Sequence, residues 1–402
     1  MRLIGAASLV FVLALGFASS RFVPTVHAEH SGQAIFRFDT FGDEQLWTNV
    51  LRMHEVIPTV DPATALAVGL KVDVDALPPS VIQALQGPGA ADLLKNPAVT
   101  VALLKLNAVV GVKGTVNDAN QLTSVGITCA LCHSNVDNSF APGIGHRLDG
   151  WANTSLNVGA IVSLSPALDA ATKALFQTWG PGKYDPRHHY FNGTSIVPLP
   201  GPTVPVVIPP IYGLKGVGFE TYTADGPISY WNAYVGVGQM GGHGNFSDPR
   251  IGVMIAQPPP DLVTPKLPAL LDYQLSLKAP EPVKGSFDEE AARRGKKLFR
   301  DEARCASCHR NPDLTDVLRG PDRDVPFLHD PAEVGQDPTY ANETATRKYR
   351  TTPLRGLIHR TAFFHDGSAA DLLAVVNHYD TLFNLHLTAA QKADLVEYLK
   401  SL

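Results

Sequence analysis

The hydrophobic pattern of the chain changes character several times along its 402 residues. Leu3 to Phe17 is a nearly unbroken apolar run behind Arg2, followed by small residues and a small-x-small triplet ending at Ala28. That order predicts an export signal cleaved after Ala28, since the run falls short of the roughly 20 residues of a membrane span. "RFDTFGDEQLWTNVLRMHEVI" and "VTVALLKLNAVVGV" read as packed elements within a segment, residues 29–115, that carries no legible chemistry. "VPLPGPTVPVVIPP", residues 197–210, is too proline-rich for helix and predicts an extended insertion. "LPALLDYQLSLKAPEPVKG" predicts a helix ending before Pro280, with a linker at 279–286. Helical spacing resumes in "SFDEEAARRGKKLF", where Ser286 and Glu289 suit a capping box, and in "LTAAQKADLVEYLKSL", where Thr388 and Gln391 repeat it. In the latter, Leu395, Val396, Leu399 and Leu402 form one apolar stripe.

The four cysteines decide the chemistry. An exported chain would ordinarily pair them as disulfides. Here they fall as Cys129-Ala-Leu-Cys132-His133 and Cys305-Ala-Ser-Cys308-His309. C-x-x-C-H is the attachment pattern of haem c, in which two thiols add to the porphyrin vinyls and the histidine that follows ligates the iron. The chain is therefore expected to carry two haems, on Cys129, Cys132 and His133 and on Cys305, Cys308 and His309. The expected fold is mainly α: two cytochrome c-like haem domains, 116–280 and 286–402, with an N-terminal extension at 29–115 and a Pro/Gly-rich insertion in the first. The formal charge of −5 becomes about −7 once Arg2 and Arg21 are removed, which disfavours nucleic acid and suits a positively charged redox partner.

The second module has no methionine, because the chain's four are Met1, Met53, Met240 and Met254. Its sixth ligand must come from His329, His359, His365, His378, His386 or a tyrosine. In "DLLAVVNHYD" Tyr379 follows Leu372, Val375 and Val376 at helical spacing, whereas His378 turns to the flank. Tyr379 is preferred to His378, and a core tyrosine below a five-coordinate haem stays open.

"TTPLRGLIHRTAFFHDGSAADLLAVVNHYD" resembles the C-terminal haem domain of bacterial dihaem cytochrome c peroxidases and MauG-type oxidases, through Thr352, Pro353, Leu354 and Arg355 and through Phe363, Phe364, His365, Gly367 and Leu372. Most such peroxidases place a methionine ligand fourteen residues beyond the motif histidine, and MauG-type proteins a tyrosine; Tyr379 stands there. The resemblance implies that Ile144, Gly145 and His146 supply a removable distal cap at the first iron. It also implies an interdomain calcium ion held by Asn153 with carbonyls near Thr351 and Pro353, and Trp179 as the tryptophan between the haems. The Gln and Glu that line the family's peroxide pocket have no counterparts at matching spacing. Glu220, Gln239 and His243 are the candidates for that work, with Met240 and Met254 as further axial candidates. A polar loop is the reading for adjacent His188 and His189. The implied protein is a periplasmic peroxidase that reduces hydrogen peroxide at the first haem, with electrons from a small cytochrome c or cupredoxin entering at the second. The alternatives are a MauG-like oxidase or oxygenase acting on a protein or organic substrate, and a non-enzymatic dihaem electron carrier. Members of the family often form homodimers.

Overall fold

The computed structural model describes residues 25–318 and 325–402, so the apolar run of the expected export signal lies outside the described residues. Among those residues no helix is long and apolar enough to cross a membrane. The protein is helix-rich, and its strands form only two-stranded pieces. The helices that position the sites are α1 (Thr25–Phe38), α2 (Pro97–Lys105), α3 (Leu267–Ser276), α4 (Glu289–Arg300), α5 (Leu372–Leu382) and α6 (Ala389–Lys400). A hairpin of β1 (Val112–Val116) and β2 (Leu122–Ile127) leads directly into Cys129. A second hairpin, β3 (His189–Phe191) with β4 (Ile196–Pro198), pairs His189 with Pro198 and opens the proline-rich stretch.

Two helix crossings repeat each other. Helix α1 packs against α3, and α4 against α6. At the first, a Cβ on Gly32 would lie 2.0 Å from the Ala269 carbonyl oxygen; at the second, one on Gly295 would lie 1.9 Å from the Asp394 carbonyl oxygen. Only a residue without a side chain lets the backbones approach so closely. Four residues further along each first helix comes a phenylalanine, and four residues further along each second helix a tyrosine. Their ring centroids lie 5.5 Å apart for Phe36 and Tyr273, and 5.2 Å apart for Phe299 and Tyr398. Phe36 and Phe299 are buried, and burying such a ring contributes about 1.5–3 kcal/mol.

Helix α1 therefore belongs to the same core as α3, together with Tyr234, Met240 and Leu270. Within residues 29–115, α1 packs with α3, while later residues, including α2, build an apolar layer against β1 and β2. The segment between α3 and α4, residues 277–288, contains no helix or strand. The cap of α4 is Asp288, whose carboxylate accepts from the Ala291 amide at 2.9 Å, and not the expected Ser286. The Thr388–Gln391 capping box on α6 forms in full.

Candidate haem sites

The two C-x-x-C-H loops are built alike. In each, the histidine amide donates to the carbonyl of the first cysteine, His133 to Cys129 at 3.2 Å and His309 to Cys305 at 3.0 Å. This single turn gathers both thiols and the imidazole on one side. Each Nδ1–H then donates to a backbone carbonyl at 3.1 Å, that of Pro209 for His133 and that of Leu314 for His309. Such a bond fixes the tautomer and leaves the Nε2 lone pair for a metal. Burial holds both imidazoles below their ordinary pKa, His133 at about 4, so both are neutral donors. None of the four cysteines is in a disulfide, and burial pushes the Cys129 and Cys132 thiols up to about 12. Two thiols and a neutral imidazole on one turn are the donor set that haem c requires.

Cys129, Cys132 and His133 line a cavity that, counting its mouth, holds about 1730 Å³ unfilled by protein atoms. Its walls are largely apolar and aromatic, with Trp179, Phe191 and Trp231 from the first domain and Tyr340 from the second. The proline-rich insertion forms one wall through residues 206–210, so Pro209 serves both as wall and as partner of His133.

Of the residues expected at this cavity, Trp179, Glu220 and Gln239 line it, and so does Met240. Gln239 is fully engaged: its amide nitrogen donates to the His189 carbonyl at 3.0 Å and to Tyr234, and its oxygen accepts from the Tyr184 hydroxyl. The Glu220 carboxylate pairs with Arg350 of the second domain at 3.1 Å, and burial raises its pKa. Trp179 donates to Thr203 at 2.9 Å and stays inside the first domain; the tryptophan that meets the second domain is Trp151, 4.9 Å from His359 between ring centroids.

Other expected site residues have different partners in this structure. His146 is not at the cavity: its side chain is 58% exposed and its Nδ1 is 2.9 Å from the Asp75 carboxylate. His243 is bonded to the Pro258 carbonyl at 2.8 Å and to Gln45, also away from the cavity. The residues expected to hold calcium have protein partners. The Asn153 amide is consumed in bonds to the Gly69 and Leu131 carbonyls and to Ser155, while the Thr351 carbonyl accepts from Thr315 at 2.6 Å. Met254, 72% exposed, is likewise no ligand to either site.

The cavity residue that sequence reasoning missed is His189. It lines the cavity, its ring lies flat on Trp179 at 5.6 Å, and burial pushes its pKa down to about 4. Neither ring nitrogen has a hydrogen-bond partner among the described residues, and Nδ1 is fully buried. A buried polar atom left without a partner implies a group that the protein expects to meet there. The Nδ1 of the adjacent His188 is likewise buried without a partner among the described residues, but His188 does not line the cavity.

At the second loop, Tyr379 on α5 sits between Phe364 and Phe383, the latter parallel to it at 5.9 Å. Its hydroxyl makes no hydrogen bond among the described residues. Burial, with the Cys308 and Cys305 thiols nearby, pushes the phenol up to about 12. His378 instead donates Nε2–H to the Val334 carbonyl at 2.9 Å. His329 is also spent, bridging Asp316 at 3.2 Å and Glu333 at 2.8 Å. Those carboxylates hold it protonated, so the grouping of Cys308, Asp316 and His329 is no vacant cation site. His365 is packed among Tyr222, Tyr340 and Tyr349, with Nε2 3.1 Å from the Tyr349 hydroxyl. Beside this loop Lys296, Lys297, Arg300, Arg304 and Arg310 are exposed and in no ion pair among the described residues, interleaved with exposed Asp301 and Glu302.

A general cytochrome c family model matches residues 292–402, a stretch that takes in Cys305, Cys308 and His309 and stops short of the first loop. That part matches a cytochrome c domain, which supports covalently bound haem c. No curated protein matches the chain. Among solved structures, a hydrazine synthase chain from Kuenenia stuttgartiensis is similar at 26% identity over 34% of this chain, with a TM-score of 0.24. This chain spans 55% of the length of that one. A MauG-like protein associated with microbial copper homeostasis is similar at 20% identity over 50% of this chain and 74% of its own, with a TM-score of 0.34.

Proposed function

We propose that the protein is a two-haem c-type cytochrome of the peroxidase kind. In this reading Cys129, Cys132 and His133 hold the reacting haem, and Cys305, Cys308, His309 and Tyr379 hold the one that feeds it. The observation that carries the enzymatic reading is His189, a neutral imidazole with its Nδ1 buried and no partner among the described residues, on the wall of the cavity that contains His133. Support for a second haem domain comes from the repeated loop bonds and the repeated Gly–Phe/Tyr helix crossing. Haem c, when bound, supplies the redox iron at which the O–O bond of hydrogen peroxide is reduced to two waters by two electrons and two protons.

The protein's part is to orient and to move protons. Pro209 holds His133 with Nε2 toward the cavity. Neutral His189 takes the proton from one peroxide oxygen and returns it to the other, so that the departing oxygen leaves as water rather than hydroxide. Gln239, bonded to the His189 backbone carbonyl, is a positioning residue and does not meet peroxide itself. Export to the periplasm and a small redox protein as electron donor belong to the same reading.

A second reading, a MauG-like oxidase acting on a protein or organic substrate, is favoured by Tyr379, whose hydroxyl has no hydrogen-bond partner among the described residues and which stands where the resemblance would place a methionine in most peroxidases. Replacing it separates ligand from core residue. Tyr379→Phe is expected to change the electron paramagnetic resonance signature of the second haem and raise its potential, since tyrosinate favours ferric iron, while His378→Phe leaves both as they were. An unchanged spectrum in Tyr379→Phe would put the ligand elsewhere.

A further inference from the structure

The segment between α1 and the first loop builds a second chamber. Residues from 47 to 72 and from 100 to 112, with Val125, Ile127, Leu131, Ile161 and Leu164, enclose about 910 Å³ unfilled by protein atoms, its mouth included. Trp47, Ile127 and Leu131 line this chamber and the His133 cavity alike, so the two share a wall. Leu131 is itself inside the Cys129–His133 loop. Leu164, 46% exposed, marks the solvent side.

Three polar side chains occur on the chamber wall, and each is turned away and satisfied. The Lys71 ammonium donates to Ser155 at 2.6 Å, the Thr100 hydroxyl to the Val60 carbonyl at 2.7 Å, and the Trp47 indole to the Met240 carbonyl at 3.0 Å. What these residues present to the chamber is hydrocarbon. Water needs two to four polar partners to occupy such a space, and apolar cavities instead stay dry and take up apolar guests. The enclosed part of this space is about 100 Å³, more than the water-sized voids that close-packed interiors leave.

We propose that this chamber binds a small neutral apolar molecule, of one aromatic ring or a short hydrocarbon chain, beside the first haem site. The wall offers no hydrogen bond with which to select a charged or strongly polar ligand. Its relevance to redox chemistry rests on the reading of the first loop as a haem site, but binding to the chamber does not.

The test is fluorine NMR of fluorobenzene titrated with the haem-loaded protein, in which the His133 cavity is filled. Saturable binding is expected, weakened about tenfold or more by Leu164→Trp at the rim and by Ala65→Trp within, with circular dichroism confirming the fold. Leu164 is exposed, so its variant reports even where Ala65→Trp fails to fold. Absence of saturable binding to the parent protein, or binding that neither tryptophan weakens, overturns the proposal. Haem content, measured separately by pyridine haemochrome, shows independently whether the first loop is loaded.

Discussion

His189→Ala is expected to lower peroxide turnover by about 10²–10⁴-fold with haem content unchanged, the range typical of removing a positioned acid–base group. His146→Ala, by contrast, is expected to stay within about twofold of the parent, because an exposed imidazole on Asp75 has no route to the cavity. The pH dependence has a defined sign. With its pKa pushed down to about 4, His189 is the neutral base at pH 7 and remains so well into the acid range. Turnover limited by this group should therefore hold on moving from pH 7 to pH 5 and fall as pH drops through about 4. Steady-state turnover with a reduced cytochrome donor checks both points. Parent-like activity in His189→Ala, or a collapse in His146→Ala, would return the distal role to the residue that the resemblance implied.

Gly295→Val should destabilise the cytochrome c domain by about 3 kcal/mol or more, as overpacking at a helix crossing does when backbone stands in the way. The added Cβ meets the Asp394 carbonyl oxygen at 1.9 Å, and neither α4 nor α6 can yield without separating Phe299 from Tyr398. Gly32→Val is expected to act likewise at the Ala269 carbonyl oxygen in the first domain. Exposed Lys296→Ala is the control, expected within about 0.5 kcal/mol. Denaturant unfolding followed through haem absorbance measures all three. A Gly295→Val protein as stable as its parent would show that the crossing is looser than described.

Chemistry that lies in contiguous sequence was legible, and chemistry assembled from distant segments was not. The two C-x-x-C-H loops each complete their donor set within five residues. The preference for Tyr379 over His378 rests on helical spacing alone; in the structure His378 is bonded to the Val334 carbonyl. The helix crossings were readable but unread: "GQAIF" with "ALLDY" and "GKKLF" with "DLVEY" carry the same spacing in both halves. His189 reaches the cavity through a hairpin 56 residues after His133, and no local periodicity reports such a contact. His146 meets Asp75, which precedes it by 71 residues, a contact that local spacing likewise does not report. The Pro209 carbonyl is invisible in sequence for a different reason, since every residue has one.

The decisive measurement is electron paramagnetic resonance of the haem-loaded protein, fully oxidised and half-reduced, each with and without hydrogen peroxide, on samples whose haem per chain has been counted. Two haems are expected, with the half-reduced protein presenting one ferric signal that peroxide alters while reoxidising the other iron. A single haem, or two low-spin signals indifferent to peroxide, would contradict a peroxidase site at His133.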